Sequence, residues 1–308
     1  MIAIDRLYKS VAARGPVCVG LDTAFEYLPP QLIRTAEDPS AALLRYNCAL
    51  IDATEDIAAC YKIQTAFYEA LGLRGLEVYA KTLSYIRLKN RLVIADVKRG
   101  DIADTAIRYA QAHFSGNFEA DFVTVSAYMG MDSLMPWFEA AQERGKGAFV
   151  LMRTSNEGRK DFECQKLESG KSVYEAVADK LAALARQAQG DCGYGIFGAV
   201  VGCPQAEEAA FIREVYKNLF FLIPGYGAQG GCADEAALLL TREGNGGVIN
   251  ASRSVLKAWQ RRAEIAELAA DKALAAAMQE ARSFVRMMQY AIQDSIQALV
   301  KEETNANR

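Results

Sequence analysis

VIADVKRGDIADTA, residues 93 to 106, carries a short β-branched run straight into a cluster of charges. Asp96 and Lys98 are two apart, which on a strand turns them to the same side. If a helix opens just after Gly100, Asp101 and Thr105 share a face four residues apart. The stretch then reads as a strand-to-helix junction bearing acid, base and acid. A cation held between carboxylates can brace an anionic substrate or donate a proton to carbon. The plainer reading is an ion-pair network at a strand end. The rest of the chain has to choose between them.

The same junction recurs. Short apolar or β-branched runs stand at PVCVGLD (16–22), ACYKI (59–63), RLVIADV (91–97), DFVTVSA (121–127), GAFVLMR (147–153), FGAVVG (197–202), LFFLIP (219–224) and GGVINAS (246–252). Segments of helical periodicity separate most of them, among them AALLRYNCALIDATEDI and KSVYEAVADKLAALARQAQ. Alternating strands and helices imply parallel pairing through right-handed crossovers. Eight such units predict an α/β chain folded as a (β/α)8 TIM barrel. An open doubly wound sheet is the rival, but DTAFEYLPP follows the first run where a dinucleotide site would want GxGxxG. One domain spanning residues 1–308 is expected. Residues from about 257 to 308 would supply the last barrel helix and a C-terminal helical extension.

Composition narrows the function. A chain of 308 residues that is 51% hydrophobic can bury a single large core. Its net charge of -3 lacks the basic excess of a duplex-binding surface, so no nucleic acid polymer is expected as partner. Seven cysteines lie scattered without CxxC spacing and read as buried, reduced thiols of a cytoplasmic protein. MIAIDRLYKSVAARG has no long apolar segment, and no run reaches spanning length, so neither export nor a membrane is expected. The single histidine, His113, is expected to be structural or at the surface, and Tyr61, Phe67, Tyr68 and Tyr128 to be core or pocket wall.

In a barrel the site gathers where the strands end. The candidates are Asp22 after the first strand, Lys62 in the second, Asp96 and Lys98 after the third, and Ser133 beyond the fourth. Pro224 to Gln229 follow the seventh strand and Ser252 and Arg253 the eighth. Each has a dull explanation alone, such as a turn cap or a snorkelling amine. PGYGAQGG (224–231) is rich in glycine, which lets a backbone approach a ligand, and ASRSV (251–255) brings a serine and an arginine to a helix start. Loops after strands seven and eight commonly hold phosphate in such barrels, so a phosphorylated substrate is expected.

Together, DVKRGDI with Thr105, CVGLD, YKIQTAFYE, LMRTSNEG, PGYGAQGG and NASRS resemble the orotidine 5'-phosphate decarboxylase family, its longer bacterial members, from about residue 16 to 255. The resemblance implies decarboxylation of a nucleotide without cofactor or metal, as the last step of de novo UMP synthesis. It implies that Lys98 protonates C6 of the pyrimidine and that Asp96 lies near the departing group. Asp101, Ile102 and Thr105 would enter the neighbouring subunit's site, so a homodimer with shared active sites is implied. Lys62 and Asp22 would hold the ribose, Ser133 would read the base with Ser126 as competitor, Pro224 would border the base, and Gln229 with Arg253 would hold the phosphate. Ile63-Gln64 departs from the family's usual residues there. Two rivals stay open. Related barrels run metal-assisted chemistry on sugar phosphates, though with an acid where this chain has Lys62. A phosphate-binding barrel without turnover would show damage among the charged residues, and none is visible.

Overall fold

The computed structural model describes residues 1–227 and 233–306. Eight parallel strands close on themselves in chain order: β1 Val17–Gly20, β2 Cys60–Gln64, β3 Val93–Arg99, β4 Phe122–Ser126, β5 Gly147–Arg153, β6 Phe197–Val201, β7 Phe221–Pro224 and β8 Gly247–Ala251. β1 pairs with β2 on one side and with β8 on the other, which seals the barrel. Every predicted strand is present. The (β/α)8 reading therefore holds, and each strand is apolar because helices cover its outer face.

Local chemistry explains the crossovers. Asp38 accepts from the Ser40 amide at 2.6 Å and Pro39 fills the first turn of the helix Pro39–Thr54. Ser172 and Glu175 form a reciprocal cap at the start of Val173–Ala185. Gly145 adopts φ +64 to end Met131–Arg144.

One expectation is corrected. The helix after β3 spans Ala103–Phe114, so Asp101 lies ahead of it and shares no helical face with Thr105. Asp101 instead accepts from the Ile102 amide at 2.9 Å, and Ala103, the helix's first residue, turns the chain at φ +45. At the other end, the segment after β8 begins with only short helical pieces. A four-residue helix, Arg253–Leu256, and two short turns lead into one helix of 37 residues, Ala270–Ala306. Nothing from Ala270 onward breaks a helix, since the segment lacks glycine and proline. Its buried stripe, Ala273, Ala277, Ala281, Phe284, Val285, Met288 and Ile292, repeats every three or four residues. That stripe packs on the helices Pro39–Thr54 and Ala233–Ala237, covering the seam where the barrel closes.

Among the described cysteines, Cys18 and Cys60 are buried, and Cys48, Cys164, Cys192 and Cys203 are half-buried rather than buried as expected. Cys232 lies outside the described residues. His113 is structural: it is buried, stacks on Trp137, and burial pushes its imidazole down to about 4. Tyr128 is the exception among the aromatics, standing 86% exposed with its ring edge-on to Phe162. No helix among the described residues is long and apolar enough to cross a membrane.

Candidate active site

A cavity of about 510 Å³ opens at the C-terminal ends of the strands. At its floor runs a chain of alternating charge. Lys62 of β2 donates to Asp22 Oδ1 and to Asp96 Oδ2, each at 3.0 Å. Lys98 donates to the other oxygen of the same carboxylate, Asp96 Oδ1, at 2.6 Å. Lys62 and Asp96 are nearly sealed from solvent, whereas the Lys98 side chain is 47% exposed.

This order fixes the charges. Burial alone would push the Lys62 ammonium down, but Asp22 and Asp96 outweigh it and hold the group above the ordinary lysine range. Burial alone would likewise raise Asp96, yet Lys62 and then Lys98 hold its carboxyl well below the usual carboxylate range. Asp96 is thus an anion and Lys62 a cation throughout the physiological range.

The opposite side of the cavity is built from the last two strands. Pro224, Gly225 and Tyr226 line it from the end of β7, and Asn250, Ser252 and Arg253 from the end of β8. Gly225 at φ +106 and Gly227 at φ +74 bend this loop in a way that side chains resist. Gly20 is required for a different reason: a Cβ there would lie 1.9 Å from Ser252 Oγ. Ser252 therefore leans over β1, where Asn250 donates to it at 3.2 Å. Arg253 is exposed at the rim as the first residue of its short helix.

Of the residues expected at the site, Asp22, Lys62, Asp96, Lys98, Pro224, Ser252 and Arg253 come together. Gln229 lies outside the described residues. Asp101, Ile102 and Thr105 do not line the cavity; they sit on the surface segment after β3, with Ile102 48% exposed. Ser133 is not brought in either. It is buried in the helix after β4, where its hydroxyl donates to the Gly130 carbonyl at 2.7 Å. Its competitor Ser126 accepts from the Tyr128 amide at 3.3 Å and also stands outside the lining.

Thr154, Ser155 and Asn156 occupy the lining in their place, immediately after β5. They open the long irregular segment 154–170, and only this beginning of it faces the cavity. The rule that found the other candidates, polar residues directly after a strand, picks them out when applied to GAFVLMR. Tyr27, Gln64 and Asn250 also line the cavity without having been singled out, and so does Thr124 of β4. A threonine within a β-branched run looks like an ordinary strand former. Among the described residues no three His, Cys, Asp or Glu side chains gather where a metal ion could be held.

A sequence model of the orotidine 5'-phosphate decarboxylase / HUMPS family matches residues 15–268. The Clostridium acetobutylicum protein named orotidine 5'-phosphate decarboxylase is 50% identical over 258 residues, which cover 84% of this chain and 90% of that protein. The chain belongs to the orotidine 5'-phosphate decarboxylase family. Solved structures agree. Leishmania donovani OMP decarboxylase matches at a TM-score of 0.68 and 31% identity, covering 94% of this chain and 100% of that one. Leishmania donovani UMP synthase matches at 0.72 and 32%, and there this chain spans 57% of the longer protein. The solved structures of the family share the barrel.

Proposed function

We propose that the reaction of this family, loss of carbon dioxide from orotidine 5'-phosphate to give uridine 5'-phosphate, runs in this chain with Lys98 as the proton donor to carbon. The C6–carboxylate bond breaks and its electron pair stays on C6, where the pyrimidine offers little delocalisation. An ammonium about 3.5 Å away in an environment of effective dielectric about 20 stabilises such a charge by about 5 kcal/mol. Lys98 then gives its proton to C6 and regains one from water. The observation that carries this reading is the chain Asp22, Lys62, Asp96, Lys98, whose last ammonium emerges into the cavity that Arg253 also lines.

The remaining roles are those the family resemblance implies, with one change. Arg253, with Ser252 and Gln229, would hold the phosphate, and Asp22 and Lys62 the ribose hydroxyls. Pro224 would border the base. Ser155, which lines the cavity, takes over the base-reading role from Ser133. Binding energy at phosphate and ribose, remote from C6, would position the reacting carbon. Asp101, Ile102 and Thr105 are proposed to complete the site of a second copy in a homodimer. The exposure of Ile102 and Thr105, and the large apolar side chain of Ile102, support that role. A cytoplasmic location fits the reduced thiols and the biosynthetic reaction. A carboxylate in place of Lys62 would favour metal-assisted chemistry; here two ammonium groups, Lys62 and Lys98, already pair with the two acids.

The test follows loss of orotate absorbance by purified protein in excess EDTA. Turnover unaffected by chelator is expected. No turnover, or turnover only on adding Mg2+, overturns the proposal. Lys98→Ala should abolish turnover and still bind the nucleotide.

A further inference from the structure

The pairing of β3 with β4 contains an irregularity that none of the roles assigned so far uses. Ala95 stands in register with Val123, and Arg99 with Val125. Asp96, Val97 and Lys98 are therefore set against Thr124 alone, a bulge of two extra residues. Bulges bend a strand and re-aim its side chains, and they remove ladder partners from the residues they contain. Lys98 shows both effects. Its backbone sits at φ +42, a region that residues with a Cβ seldom occupy, and its amide faces a side chain instead of a strand carbonyl.

That side chain is Thr124. Its Oγ1 accepts from the Lys98 amide at 3.0 Å and donates to Asp96 Oδ1 at 2.8 Å. Asp96 Oδ1 is also the oxygen on which the Lys98 ammonium rests at 2.6 Å. One hydroxyl thus grips the backbone of the lysine and the carboxylate oxygen that receives the lysine's own tip. The residue is 1% exposed, so no solvent competes for either bond. We infer that Thr124 is a positioning residue: it pins the left-handed turn at Lys98 to the Asp96 carboxylate and thereby sets where the ammonium stands in the cavity. This rests on the proposed role of Lys98, to which it adds the part that holds the donor in place.

Two variants separate positioning from packing. Thr124→Val keeps the shape and removes the hydroxyl; Thr124→Ser keeps the hydroxyl and removes the methyl. The expected result is a kcat for Thr124→Val lower by about 10²-fold, with KM for orotidine 5'-phosphate near the wild-type value, since a misplacement of about 1 Å costs that much. Thr124→Ser should recover most of the rate. Circular dichroism checks folding, and Thr124→Ala replaces Thr124→Val should that protein fail to fold. The inference is overturned by a Val variant with unimpaired kcat, by a Ser variant as slow as Val, by a loss confined to KM, or by failure of both Val and Ala to fold. An inactive wild-type control overturns the reaction itself; an active one beside an unimpaired Val variant overturns only the role of Thr124.

Discussion

Replacing Lys62 with methionine removes the ammonium that bridges Asp22 and Asp96 while keeping a side chain of similar length. Each of its two contacts is 3.0 Å long, which at an effective dielectric of about 20 is worth about 5 kcal/mol of attraction. Burying the ammonium and its partners takes back several kcal/mol, and removing one member of such a buried set costs about 3 to 5 kcal/mol net. The pH dependence has a definite sign. Asp96 is depressed in the folded protein, so its contribution is present above the unfolded value and fades only as pH falls through the depressed one. Lys62 is raised, so its contribution is complete below the unfolded lysine value and is lost only in strong alkali. Both are fully in force near neutrality. In Lys62→Met, burial of Asp96 is opposed only by Lys98 and the Thr124 hydroxyl, and its carboxyl titrates at higher pH than in the wild type. Once protonated it has no charge to be paired. The penalty should therefore be largest near pH 7 and shrink towards pH 4.5. Urea unfolding followed by emission of Trp137 and Trp259 at both pH values measures it. A difference below about 1 kcal/mol at neutral pH would refute the reasoning.

The proposed dimer makes a complementation experiment possible. Lys98→Ala and Asp101→Ala chains, each inactive, should regain part of the activity when mixed under conditions of subunit exchange, measured as orotate absorbance loss; no recovery despite proven exchange counts against Asp101 acting across an interface. The two serines should also separate. Ser155→Ala should raise KM for the nucleotide, whereas Ser133→Ala, whose hydroxyl only meets the Gly130 carbonyl, should leave kinetics intact and cost about 1 kcal/mol of stability. Equal kinetic effects in the two variants would remove the reason for preferring Ser155.

The barrel was legible because its strands are buried on both faces and so appear as dense apolar runs; GAFVLMR coincides with β5 residue for residue. Asp22, Lys62, Asp96 and Lys98 were legible for the complementary reason, that a charge ending an apolar run needs a partner or a function. What stayed hidden depends on pairing between distant segments. Asp96 and Lys98 were expected to meet through simple strand alternation, but they meet across a bulge, and register against β4 cannot be read from β3 alone. Ser133 was expected at the cavity by motif and Ser155 was not, because serines lie close behind both β4 and β5 and only the closed barrel tells which of them lines the cavity. The start of the helix at Ala103 was displaced by a left-handed residue where no glycine announces one.

The long final helix has a consequence for how the protein comes into being. Its apolar stripe shields the helix Pro39–Thr54, which belongs to the first unit of the barrel. Gln289 donates to the Ile57 carbonyl at 2.8 Å, and Arg282 grips Asp56, both in the turn that leads into β2. A nascent chain that has already released all eight strands from the ribosome still lacks this cover. The unit made first must wait for this helix, with its greasy flank open in the meantime. Chaperone demand during synthesis should therefore rise once β8 has emerged and stay high until this helix docks, and a ribosome stalled near residue 290 would hold a chain that is complete in its sheet and yet prone to aggregate.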